Sequence, residues 1–84
     1  MRRSLCYLRT KEGIEVDFVT VEDERPVLMV EVKATDRVLS PGLRYFHDRY
    51  HLPGVQLVGH LRLETEHKGL AVRRALDWLA ALEG

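Results

Sequence analysis

The sequence is short of the features that mark secretion, membrane insertion or general polyanion binding. It has a single cysteine, Cys6, so no internal disulfide can form and nothing points to an oxidising compartment. No apolar run approaches the ~20 residues of a membrane span. The opening Met1-Arg2-Arg3-Ser4 is basic, but Arg9 follows too soon for the apolar core of a secretory leader. The expectation is a cytoplasmic protein with no membrane partner. There is also no charge excess. Lys and Arg number 13 against 13 Asp and Glu, a formal net of +0, which argues against indiscriminate nucleic-acid binding but leaves room for a local patch. Residues 37–62 offer one, with Arg37, Arg44, Arg49 and Arg62 against the single acid Asp48, and His47, His51 and His60 interspersed. Its plain reading is a solvated face. No repeat, low-complexity tract or linker is visible.

What is present fits one small domain over residues 1–84, with 45% hydrophobic and 31% charged residues. A domain this short buries only about 60% of its unfolded surface, so a partner subunit would help it. Leu5–Thr10 reads as a strand, Lys11-Glu12-Gly13 as a tight turn, Ile14–Val21 as a second strand, and Glu22–Pro26 as a break. Val27–Ala34 is a β-branched third strand, completing an antiparallel meander. Ser40-Pro41 supplies a helix N-cap and a first-turn proline; Leu43, Phe46 and Tyr50 form the buried stripe, and Leu52-Pro53-Gly54 ends the helix. Val55–His60 reads as a fourth strand, Glu64–Gly69 as a polar stretch, Leu70–Val72 as a short edge strand and Arg74–Leu82 as a closing helix, with Leu76, Trp78, Leu79 and Leu82 as its apolar surface. The fold class is α/β with a mixed sheet, in the order βββαβ(β)α.

The second and third strands carry the chemistry. Strand alternation puts Ile14, Val16, Phe18 and Thr20 on one face and Glu15, Asp17, Val19 and Val21 on the other. A loop centred near Glu24 pairs Val21 with Val27, Val19 with Met29, Asp17 with Glu31 and Glu15 with Lys33, so that apolar residues oppose apolar ones. Two opposed carboxylates repel unless a cation or a shared proton lies between them. Oxygen ligands of this kind suit a hard divalent ion such as Mg²⁺.

Asp17, thirteen residues, then Glu31-Val32-Lys33 resembles the D…(D/E)xK signature of the PD-(D/E)xK, or restriction-endonuclease-like, nuclease superfamily. The flanking stretches, Tyr7-Leu8-Arg9-Thr10-Lys11-Glu12-Gly13-Ile14-Glu15-Val16-Asp17-Phe18-Val19 and Val30-Glu31-Val32-Lys33-Ala34, are similar to a C-terminal nuclease-like region, a domain of unknown function, of bacterial and archaeal AAA-type ATPases. The similarity covers most of the chain. It implies that Asp17 and Glu31 ligate Mg²⁺ or Mn²⁺, that the Val32 carbonyl helps, and that Lys33 positions or activates the attacking water. Asp17, Glu31 and Lys33 would then be the catalytic residues. Hydrolysis of a phosphodiester needs such groups, because negative charge develops and a water must be aligned in line. A lysine beside two acids stays protonated, which favours water positioning over classical base catalysis.

The superfamily core usually opens with a helix, often bearing another acid, and here only about four residues precede the first strand. The fold is therefore expected to lack that opening helix. Glu15 or Glu12 is the available substitute ligand, and a homodimer, or the remainder of a longer ATPase gene, is the available cover for the bare face. The other signals are weaker. His47 and His51, i and i+4, have a zinc-compatible spacing but no third ligand and no HExxH motif. Cys6 reads as a small buried residue, Trp78 as a core anchor, and Tyr45 and Arg49 as an exposed pair. Two functions follow: a metal-dependent nuclease acting on nucleic acid, or a non-catalytic accessory module related to the ATPase-associated domain.

Overall fold

The computed structural model describes residues 2–35 and 38–83. Met1, Asp36, Arg37 and Gly84 lie outside the described residues, and with them one arginine of the basic stretch. The elements run β1 (Arg3–Arg9), β2 (Glu15–Glu22), β3 (Arg25–Lys33), α1 (Pro41–Tyr50), β4 (Gly54–Val58), β5 (Thr65–His67), β6 (Leu70–Arg74) and α2 (Ala75–Glu83). The strands form one six-stranded mixed sheet in the order β1-β2-β3-β4-β6-β5. β1, β2 and β3 form the antiparallel meander; β3, β4 and β6 run parallel; β5 returns antiparallel on the far edge. The expected α/β class and mixed sheet are present. No helix among the described residues is long and apolar enough to cross a membrane.

Local chemistry sets the connections. Gly13 takes φ +88° in the β1–β2 turn, where Thr10 N–H donates to the Ile14 carbonyl at 2.8 Å. The β2–β3 connection is shorter than the break expected over Glu22–Pro26. Asp23 and Glu24, both at positive φ, form a two-residue loop between the paired Glu22 and Arg25, the geometry whose twist suits a hairpin. Pro26 then lies within β3, opposite Val21, and Val27 is the extra residue of a bulge. Val21 is therefore not opposite Val27.

A second bulge corrects the expected faces of β2. Cys6 pairs with Val19 and Leu8 with Val16, so Tyr7 alone spans Asp17 and Phe18. The extra residue brings Val16 to the same side as Val19. Both are buried in one cluster with Met29, Leu43, Phe46 and Leu70, beneath α1. On the opposite face Val30, Val55, Leu57 and Ala71 cluster with Leu28, Ala75 and Trp78, beneath α2.

α1 begins as its sequence dictates. The Ser40 hydroxyl accepts from Leu43 N–H at 3.0 Å and Pro41 occupies the first turn. The helix ends before Leu52, at His51, which takes a left-handed conformation (φ +58°) and donates its N–H to the His47 carbonyl. Leu43 and Phe46 are buried as expected, whereas Tyr50 is exposed and stacks on Phe46 at the core's rim. Gly42 is where α1 meets the sheet. A Cβ there would lie 2.0 Å from the Glu15 carbonyl oxygen, so only glycine permits this approach.

Further expectations are corrected. The polar stretch Glu64–Gly69 contains a strand, β5, whose three residues are all exposed, which suits a sheet edge. With that edge occupied, β6 becomes an inner strand and the stretch from Leu70 is not an edge. Cys6 is exposed, because β1 is an edge strand without cover on either face for most of its length. In α2, Trp78 does anchor against the core, but Leu76, Leu79 and Leu82 are exposed. Tyr45 is half-buried against the core rather than exposed, and Arg49 lies over the Tyr50 ring, its guanidinium carbon 5.9 Å from the centroid.

Candidate functional site

The bulge in β2 shapes the site. The β2–β3 ladder runs through Val19–Met29 to Phe18–Val30 and stops there. Beyond it, side chains replace the missing backbone bonds. Asp17 N–H donates to Glu31 Oε1 at 2.9 Å, and Val32 N–H donates to Asp17 Oδ2 at 3.0 Å. Each carboxylate thus reaches across to the other strand's backbone. Asp17 and Glu31 stand on adjacent antiparallel strands and line one cleft, as their spacing predicts. The N–H and C=O of a strand residue point to the same edge, so the Val32 carbonyl also faces β2 beyond the last ladder pair.

The cleft measures about 390 Å³ and is lined by Asp17, Glu31, Val32 and Lys33, with Glu15 on one side and the start of α1 on the other. Ser40, Pro41 and Gly42 bring the helix N-terminus, and its partial positive charge, to the acids. Glu31 is only 7% exposed. Burial raises its pKa above the usual carboxylate value, and the negative charge of Asp17 adds to the rise; the Asp17 N–H and the Ser40 hydroxyl, both donating to the carboxylate, oppose it. Lys33 lines the same cleft and has no ion-pair partner among the described residues.

Sequence reasoning missed two supporting residues. Ser40 was legible as a helix cap, but it also bonds Glu31. Gln56, fully buried and in register with Glu31, accepts from Ser40 N–H through Oε1 at 2.8 Å and donates from Nε2 to the Val38 carbonyl at 2.8 Å. The signal was a lone amide in the apolar run Val55–Val58, because a buried amide must find partners. It ties the loop before α1 to β4 and so fixes Ser40 over Glu31.

The remaining candidates separate. Glu15 receives a hydrogen bond from the Tyr7 hydroxyl, which holds the tyrosine pKa above its usual value. Glu12 sits exposed in the first turn. No group of three or more His, Cys, Asp or Glu among the described residues is placed to share a metal, so neither glutamate joins the pair as a further ligand. His47 and His51 do not converge either: His47 Nδ1 bonds the Leu52 carbonyl at 2.7 Å, while His51 caps the helix.

Two carboxylates and a backbone carbonyl still fit a cation that keeps most of its waters, as Mg²⁺ does with one or two carboxylates. No curated protein and no solved structure matches the chain. Residues 1–76 match a family described as Domain of unknown function (DUF4143).

Proposed function

The chain belongs to the DUF4143 family of unknown function, and from that premise we propose that it is a metal-dependent phosphodiesterase domain of restriction-endonuclease-like fold, acting on nucleic acid. The observation that carries this reading is the reciprocal pair of hydrogen bonds, Asp17 N–H to Glu31 and Val32 N–H to Asp17, which holds two carboxylates side by side beyond the end of a ladder. The two carboxylates satisfy backbone N–H groups beyond the ladder, but holding both negative charges together carries a repulsion that a bound cation would relieve. The order of elements, with an antiparallel meander followed by a helical crossover into a parallel strand, supports the fold assignment.

Asp17, Glu31 and the Val32 carbonyl would hold Mg²⁺ or Mn²⁺, which when bound supplies charge neutralisation at the phosphate and a more acidic water. Lys33 carries a cation to the same cleft and is suited to orient the attacking water or a non-bridging phosphate oxygen. Ser40 and Gln56 keep Glu31 in place. The start of α1 brings the positive end of the helix dipole to the site, where it favours an anion.

Mn²⁺ titration calorimetry tests the reading. Wild type should give measurable heat, Asp17→Ala and Glu31→Ala should weaken it together, and Lys33→Ala should largely spare it. Cleavage of single- or double-stranded DNA or RNA should fall about 10²-fold or more in all three variants. Absence of both heat at millimolar Mn²⁺ and cleavage sinks the enzyme. The second reading, a non-catalytic accessory module, is favoured by one observation: a wholly apolar cleft formed by Phe18, Val30, Val32 and α2, on the face away from the acids.

A further inference from the structure

Arg44 of α1 and Lys68 of the β5–β6 turn meet at a second concave surface on the acid-bearing side of the sheet. A cleft of about 290 Å³ opens between α1 and the β5–β6 turn, lined by Leu39, Arg44, His47, Asp48, His67 and Lys68. Two segments distant in sequence build it. Arg44, His47 and Asp48 recur on one side of α1 at helical spacing. Lys68 and Gly69, both at positive φ, make the two-residue turn between the paired His67 and Leu70. That turn is seated on the helix, since a Cβ on Gly69 would lie 3.2 Å from His47 Cε1.

Its chemistry is that of an anion site. His47 Nδ1 is taken up by the Leu52 carbonyl at 2.7 Å, so the cleft's donors toward an anion are the Arg44 guanidinium and the Lys68 ammonium. Arg44, His67 and Lys68 have no ion-pair partner among the described residues, although Arg73 and Arg74 nearby pair with Glu66 and Asp77. Asp48 is the one acid on the lining. Arg44 and Lys68 outnumber that acid and reach the cleft from opposite walls, one from the helix and one from the turn.

Its position connects it to the acid pair. Leu39, at one end of the cleft, immediately precedes Ser40, whose hydroxyl bonds Glu31. From Ser40 to His47 the helix rises about 10 Å. One nucleic-acid strand carries a charge about every 3.4 Å of axis, so that rise corresponds to about three nucleotides.

We propose that the α1/β5–β6 cleft is a phosphate-binding subsite that holds the backbone of a nucleic-acid strand about three nucleotides from Asp17 and Glu31. The choice of nucleic acid rests on the nuclease reading; the subsite itself needs neither the metal nor the reaction. The test is binding of fluorescent 20-nucleotide DNA and RNA, single- and double-stranded, in EDTA at low salt. Arg44→Gln/Lys68→Gln should bind at least about 10-fold more weakly than wild type, with the slope of log K against log salt reduced by about 1.5, the share of two phosphate contacts. Arg3→Gln/Arg25→Gln, at the far end of the meander, should bind within twofold of wild type. Thermal melts establish that both variants fold.

Equal binding by wild type and the cleft variant would overturn the proposal. So would no binding of any strand at 100 μM protein, or binding to anionic lipid vesicles without binding to oligonucleotides. Because metal is absent, failure of the catalytic reading is distinguishable: strand binding that depends on Arg44 and Lys68, without cleavage when Mn²⁺ is restored, removes the enzyme and keeps the subsite.

Discussion

The two faces of the sheet are built to different standards of closure. Under α1, Val16, Met29 and Leu43 are completely buried, and the helix comes so near the sheet that Gly42 cannot bear a side chain. Under α2, Trp78 covers Val30, Val55 and Leu57, but Phe18 and Val32 remain about half exposed and Leu82 is 65% exposed. The charged groups follow the closed face: the acid pair sits at the start of α1 and the basic cleft along its side. On the open face the polar groups among the described residues, Arg3, Ser4, Thr20 and Glu22, lie toward the end of the meander, beside Trp78 and Leu82. A rigid face is what a catalytic or phosphate-binding constellation needs, whereas an open apolar face is the mark of a surface meant for contact.

The sharpest test of that contrast is thermodynamic. Leu43→Ala, in the closed cluster, should cost about 2–5 kcal/mol of unfolding free energy, the range for a buried leucine. Gly42→Ala should also be strongly destabilising, because the intruding Cβ meets a backbone oxygen rather than a flexible side chain. Leu82→Ala, on the open face, should stay within about 0.5 kcal/mol at a concentration where the protein is monomeric. Urea denaturation of the three variants measures the differences. Comparable losses at Leu43 and Leu82 would erase the distinction between the faces.

A smaller effect, of opposite sign, is expected at Glu31. Its folded-state pKa lies above the ordinary value of 4.5 because it is buried and faces Asp17. Between the unfolded and folded pKa values the native state binds more protons than the unfolded state, so stability falls as pH rises through that window. Glu31→Gln should therefore stabilise the metal-free protein at neutral pH by about 0.5–2 kcal/mol and flatten the decline above pH 4.5. Added Mn²⁺ should stabilise wild type and leave this variant less affected. Thermal melts between pH 4 and 7, with and without Mn²⁺, measure both. An unchanged pH slope in Glu31→Gln would show that Glu31 is not the group responsible.

The sequence conveyed the elements better than their geometry. Alternation and caps placed the meander, α1 and β4 within a few residues, because apolar periodicity and the Ser40-Pro41 start are local properties. That Asp17 and Glu31 share a cleft was legible too, since matching Val19 with Met29 brings them near each other, although the ladder ends at Phe18–Val30 before they pair. The bulges were not. An extra residue at Asp17-Phe18 changes which side chains share a face, yet no glycine marks it. β5 was hidden because an exposed edge strand has no apolar alternation to display. The Ser40–Gln56 link was hidden because it joins a loop to a strand 16 residues on. The basic cleft needed the β5–β6 turn to be folded back onto α1, which composition alone cannot indicate.

The smallest effect on folding should accompany a complete change of assembly. Leu5, Phe18, Val32, Leu79 and Leu82 line continuous apolar surface from β1 across the sheet to α2. Each Å² of apolar area removed from water contributes about 25 cal/mol, so leaving this face wet is unfavourable in a chain with little core to spare. A second copy is the simplest cover, because a face that is apolar throughout meets its own twofold image without opposing like charges. Sedimentation should show a dimer at micromolar concentration. Phe18→Glu should convert it to a monomer, since one charge per copy would be buried without a partner. The substitution lies on the exposed side of β2, so at a concentration where wild type is also monomeric the two should unfold within about 0.5 kcal/mol of each other. A well-folded wild-type monomer at high micromolar concentration would refute self-association, and a Phe18→Glu protein that is itself unfolded would place Phe18 in the core rather than on a contact surface. Activity gives an independent check. The acids lie on the opposite side of the sheet from this face, so Phe18→Glu should retain whatever Mn²⁺ binding the wild-type protein shows.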